Sequence, residues 1–131
     1  MNSMIDRTES IVPTDAKVIS PAQHAMLDYG VAGTFFAVGL SFLSRNRPAA
    51  ILAFINGGMV LGMSLLTNYP GGVYRKLSFK THRTGDIVQA ALAGAGPALF
   101  GFARAPEAKY FYGQAMSEVG VIAATDWNAA P

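Results

Sequence analysis

The sequence has no cysteine among its 131 residues. That absence excludes disulfide scaffolds, thiol catalysis and cysteine-ligated zinc or iron–sulfur centres. Charge is scarce too: Asp, Glu, Lys and Arg make up 14% of the chain, against about 25% in average soluble proteins. With 51% hydrophobic residues, the chain lies far from the charged, apolar-poor composition of intrinsic disorder. A formal net charge of +2 leaves no basic footprint for nucleic acid. The length allows one domain.

What the chain does have is long uncharged stretches, over residues 29–44, 48–74 and 87–103. A helix crossing a bilayer needs about 20 mostly apolar residues. Residues 22–43 and 48–67 reach that length, residues 86–102 do so when extended back to Thr81, and residues 106–125 do so despite Glu107, Lys109 and Glu118. A soluble bundle would carry a polar stripe on each helix. Residues 51–66 carry none, with only Asn56 and Ser64 polar. The pattern predicts four transmembrane helices. Gly58 and Gly62 form a G-x-x-x-G pair suited to close helix packing in lipid, and Pro97 is expected to kink the third helix.

Shifting the chain by 58 residues superposes Ser20, His24, Asp28, Phe42, Pro48, Gly62 and Thr67 on Ser78, His82, Asp86, Phe100, Pro106, Gly120 and Thr125. With three alanine matches, this gives ten identities over 51 ungapped columns. Matched His, Asp, Pro and Thr are costly coincidences, so residues 19–69 and 77–127 read as two copies of one helical hairpin. Two helices per copy give both copies the same orientation, related by a pseudo-twofold axis along the membrane normal. Residues 1–18 form a polar arm ahead of the four-helix domain at 19–131. Ser20, Pro21 and Gln23 read as a capping box with proline at the first helical position. Pro48 and Pro106 suit the first turns of their helices. Six basic residues flank the side holding the termini and four the other, which favours cytoplasmic termini. Tyr69, Tyr74 and Trp127 on one side, with Tyr110 and Tyr112 on the other, suit interfacial belts.

His24 and Asp28 share a helix face at four-residue spacing, and His82 and Asp86 repeat the pair. Ionisable groups inside a bilayer should face the bundle interior and find partners. Hairpin geometry brings Thr67 and Asn68, and Thr125 and Asp126, to the same end. Eight polar residues are therefore expected to converge there. His24, Asp28, His82 and Asp86 could hold a divalent metal, His24 and His82 could ligate haem, or Asp28 and Asp86 could relay protons or ions. Each Asp could instead only brace its own His or a neighbouring helix end. Glu118 has no acidic counterpart, since Val60 occupies the matching position. It could belong to an ion path or face a partner subunit. No nucleophile-elbow or P-loop motif occurs, so enzymatic activity is not expected.

The segments His24-Ala-Met-Leu-Asp28-Tyr29, Ser64-Leu-Leu-Thr67-Asn68-Tyr69-Pro70, His82-x-x-x-Asp86 and Gly96-Pro-Ala-Leu-Phe-Gly-Phe102 resemble small bacterial four-helix membrane proteins with a tandem hairpin repeat of the SPW type. The resemblance spans residues 19–127. It implies a multi-pass protein of the bacterial inner membrane and carries no catalytic residues. The expectation is a non-enzymatic accessory protein or small subunit of a membrane assembly, in contact with lipid and with a membrane-protein partner or further copies of itself. The alternatives are a metal- or haem-binding redox component using His24 and His82, and a proton or ion conductor using Asp28 and Asp86.

Overall fold

The computed structural model describes residues 17–131, so the polar arm lies outside the described residues except for Lys17 and Val18. Four helices follow in order: α1 (Pro21–Phe42), α2 (Arg47–Leu66), α3 (Phe79–Leu99) and α4 (Ala108–Ala124). Among the described residues there is no strand beyond isolated backbone pairings.

Local chemistry sets the helix starts. The Ser20 hydroxyl accepts from the Gln23 N–H, and the Gln23 side chain accepts from the Ser20 N–H, closing the capping box ahead of Pro21. Ser78 caps α3 in the same way, accepting from the Thr81 N–H. The Asn46 side chain caps α2, with Pro48 in its first turn. Pro106 lies just ahead of α4 rather than inside it. Pro97 falls in the last turn of α3, where the helix is already ending at Gly101, whose φ of 78° is open to glycine.

Each helix packs against the next in sequence, while α1 and α4 meet mainly through the rings of Phe35 and Phe42 against Tyr110 and Phe111. At one end Phe35, Phe42, Leu52, Phe102 and Phe111 form the main apolar core. Close packing between helices rests on Gly39, facing the Phe54 ring, Gly85, facing the Met63 side chain, and Gly96, facing Leu52. The expected close packing at Gly58 and Gly62 is corrected. Both point away from the core, and a Cβ at either would meet nothing within 4 Å.

At the other end the chain termini of the helices pair across the molecule. The Ile19 N–H donates to the Ala124 carbonyl at 3.0 Å, and the Asp126 N–H donates back to the Ile19 carbonyl at 2.9 Å. Fifty-eight residues away from each partner, the Leu77 N–H donates to the Leu66 carbonyl at 2.8 Å, and the Asn68 N–H donates to the Leu77 carbonyl at 2.7 Å. These bonds tie the starts of α1 and α3 to the ends of α4 and α2.

By length and composition α1 and α2 could cross a membrane; α3 and α4 fall short. Lys80, Arg83, Asp86 and Gln89 lower the hydropathy of α3, and α4 is only 17 residues long.

Candidate metal centre

The capping serines place His24 and His82 in the first turn of α1 and α3, and the helical spacing puts Asp28 and Asp86 one turn further in. All four side chains are buried, and one ligand atom from each lies within 4.8 Å of the others. The His24 Nε2 is 3.0 Å from Asp86 Oδ2 and 3.4 Å from Asp28 Oδ1. The His82 Nε2 is 3.0 Å from both Asp28 Oδ2 and Asp86 Oδ1. Each imidazole thus faces both carboxylates.

The far side of each ring determines its tautomer. Thr67 Oγ1 donates its only proton to the Met63 carbonyl at 2.6 Å and lies 2.7 Å from His82 Nδ1. With that proton spent, the hydroxyl can only accept from His82, so Nδ1 carries a hydrogen. Thr125 does the same for His24, donating to the Val121 carbonyl at 2.6 Å while lying 2.9 Å from His24 Nδ1. A ring in this orientation that carries no second proton would therefore turn an Nε2 lone pair toward the carboxylates. Metal-ligating histidines are oriented in this way by an acceptor on their other nitrogen.

His82 supplies a sharper observation. Its ring is 1% exposed, and its Nε2 makes no aligned hydrogen bond although two carboxylate oxygens lie at 3.0 Å. The nitrogen points between the oxygens, toward the middle of the cluster. A tetrahedral ion with bonds of about 2.0–2.2 Å would hold its ligand atoms roughly 3.3–3.6 Å apart. Of the four N···O separations, one at 3.4 Å lies in that range and three at 3.0 Å are shorter, while the four ligand atoms together lie within 4.8 Å of one another, so an ion would draw some of them apart and others together. Two carboxylates would neutralise a divalent ion, and imidazole with carboxylate suits zinc and its first-row neighbours.

Aromatic groups roof the cluster. Tyr69 donates to Asp28 Oδ2 at 2.8 Å. Burial, reinforced by the Asp28 charge, pushes the Tyr69 phenol above its ordinary range and keeps it a donor. Phe79 and Trp127 stack beside it, and the Trp127 indole N–H donates to the Ile122 carbonyl. Tyr69 and Trp127 are therefore buried roof residues, a correction to their expected place in interfacial belts.

Of the eight polar residues expected here, six converge: His24, Asp28, Thr67, His82, Asp86 and Thr125. Asn68 is exposed, and Asp126 accepts from the Asn128 N–H instead. Both follow a threonine in extended conformation, where successive side chains point to opposite sides. That alternation turns Thr67 and Tyr69 inward and Asn68 outward.

Haem does not fit. The two histidine rings lie 5.3 Å apart, edge to face, with both carboxylates against their Nε2 atoms, so no slot exists for a porphyrin plane. Three further buried polar residues join the interior below the site. The Gln89 side-chain amide donates to Asn56 Oδ1 at 2.7 Å, and Glu118 is 9% exposed. Gln89 was legible only as a lone amide in the apolar run of α3. No family model matches the chain, and neither a curated protein nor a solved structure does.

Proposed function

We propose that this chain is a four-span membrane protein that binds one divalent transition-metal ion through His24, Asp28, His82 and Asp86. The observation that carries the metal is the buried His82 Nε2, 3.0 Å from an oxygen of each carboxylate and aligned with neither. A proton there would have to serve two acceptors off axis, whereas a cation at the centre would be met by all four groups. Metal binding is favoured over a purely bracing role because both threonines already orient the rings with Nε2 inward.

The outer surface supports the membrane reading. Met26, Leu40, Ile51, Ile55, Ile87, Val88, Met116 and Val119 are exposed along the four helices. The exposed positions of α3 beyond Arg83 and of α4 beyond Lys109 carry no charge. A soluble bundle leaves no such continuous apolar surface to water. The matched contacts at 58-residue spacing support a duplicated hairpin, in line with the resemblance to SPW-repeat membrane proteins. An accessory role in a larger assembly is compatible with the metal, which would then be that assembly's bound ion.

The test is elemental analysis of the protein purified in mild detergent without chelator. About one zinc-like ion per chain is expected, and none in His82→Ala. A wild-type protein that stays metal-free after exposure to zinc would refute the proposal and leave the four groups as a proton-balanced ion-pair network.

A further inference from the structure

On the outside of the bundle, α3 and α4 meet along a groove lined by Ile87, Ala90, Ala91, Val119, Ile122 and Ala123. All six are apolar, and three are alanines, which leaves a furrow between the larger side chains. The furrow leads to charge. Lys80, Arg83, Thr84 and Ile87 follow one another at three- and four-residue steps, so they share one face of α3. All four are exposed. Arg83 lies one turn, about 6 Å, ahead of Ile87. Among the described residues the ion pairs all lie within the His/Asp cluster, so no carboxylate holds either cation. Asp126, just past the end of α4, accepts from the Asn128 N–H instead. The repeat gives the cations no part in the fold, since their matched positions in the first half are Ala22 and Ala25.

We infer that the furrow and its two cations form a binding site for one anionic phospholipid. An acyl chain lies between α3 and α4, and the phosphate is held at Lys80 and Arg83. The inference rests on the membrane part of the reading above and is independent of the metal. An apolar furrow that begins one turn inside a pair of cations matches the layout of a lipid, with a charged head at the interface and a chain running inward. Unpaired cations select an anionic head over a zwitterionic one, which brings its own positive charge. The Thr84 hydroxyl, on the same face, can donate to a phosphate or ester oxygen. A second copy of this chain is a poorer occupant. Two copies inserted the same way would pair about a twofold axis along the membrane normal. That pairing would set their Lys80 and Arg83 side chains against each other, and like charges repel.

The experiment uses the full chain in mild detergent, stripped of co-purified lipid, and native mass spectrometry. The probes are dioleoyl phosphatidylglycerol and, for comparison, dioleoyl phosphatidylcholine. The wild type is expected to retain one phosphatidylglycerol per chain, and no phosphatidylcholine at equal concentration. Lys80→Gln combined with Arg83→Gln should need about thirtyfold more phosphatidylglycerol, roughly fivefold for each cation. Ala91→Phe, which fills the furrow and keeps both cations, should lose the bound lipid. Val88→Phe, exposed elsewhere on α3, should keep it. Equal retention of the two lipids by the wild type, or undiminished phosphatidylglycerol binding in the double variant or in Ala91→Phe, would overturn the lipid site and leave the membrane reading standing. A lipid-free dimer that Ala91→Phe disperses would overturn it in favour of a second copy. A chain that stays dispersed in buffer without detergent would overturn the membrane reading and the lipid site with it.

Discussion

His24 and His82 stand 58 residues apart with nearly the same surroundings, whereas Val60 and Glu118 stand 58 apart and share only their place in one cavity. Around the histidines, each half of the chain supplies what the other lacks. Thr125 from the second half orients His24, and Thr67 from the first orients His82. Each carboxylate likewise reaches the histidine of the opposite half. Neither hairpin alone completes the set. Away from the histidines the halves diverge. Between α2 and α3, Gly85 leaves room for the Met63 side chain, which packs against it. The positions matching these two are Leu27 and Val121, and there α1 and α4 stay apart around the cavity. The difference teaches that the matched residues build the cluster while the unmatched ones leave a cavity beside it.

The largest expected effects probe the symmetric part. His24→Ala and His82→Ala should each abolish stoichiometric metal binding, to the same degree, when titrated with zinc by calorimetry. Retention of tight binding by one variant alone would break the equivalence. Next come the orienting hydroxyls. Thr67→Val and Thr125→Val should each weaken zinc by roughly 10–100-fold, the usual consequence of removing a ligand's outer hydrogen-bond partner. A single strong effect at only one of the two would show that the halves contribute unequally.

How much of this was legible in the sequence follows the same division. Matched His and Asp at helical spacing announced the cluster, because ionisable residues are rare in apolar segments and a period-four pair can only share a face. The hydroxyls were legible with them. The side chains one residue beyond were not, since Asn68 and Asp126 sit where helix gives way to extended chain and the facing pattern changes. Gly58 and Gly62 misled for a related reason. Their spacing defines a small-residue stripe but not which side of α2 turns inward, and Leu52, Asn56 and Val60 set that side instead. The cavity had no local signature, as its lining is contributed by residues of all four helices.

Smaller effects test the asymmetric part. Glu118→Val copies the first half's residue into the second and removes a buried carboxyl group. It should raise thermal stability of the metal-free protein by roughly 1–3 kcal/mol. A loss of stability would mean that Glu118 has a partner in the folded protein. Tyr69→Phe deletes the donor to Asp28 and should cost about 1 kcal/mol of stability or somewhat more, seen in detergent melting curves. Because the Trp127 indole N–H bonds a backbone carbonyl and not Asp86, Trp127→Phe should leave zinc affinity unchanged while Tyr69→Phe alters it.

The central claim is that two imidazoles and two carboxylates meet at one ion, and X-ray absorption at the zinc edge of the loaded protein reads it most directly. The account predicts four nitrogen or oxygen scatterers at about 2.0–2.2 Å, with outer-shell scattering from two imidazole rings. A shell of oxygen atoms without imidazole scattering would contradict it.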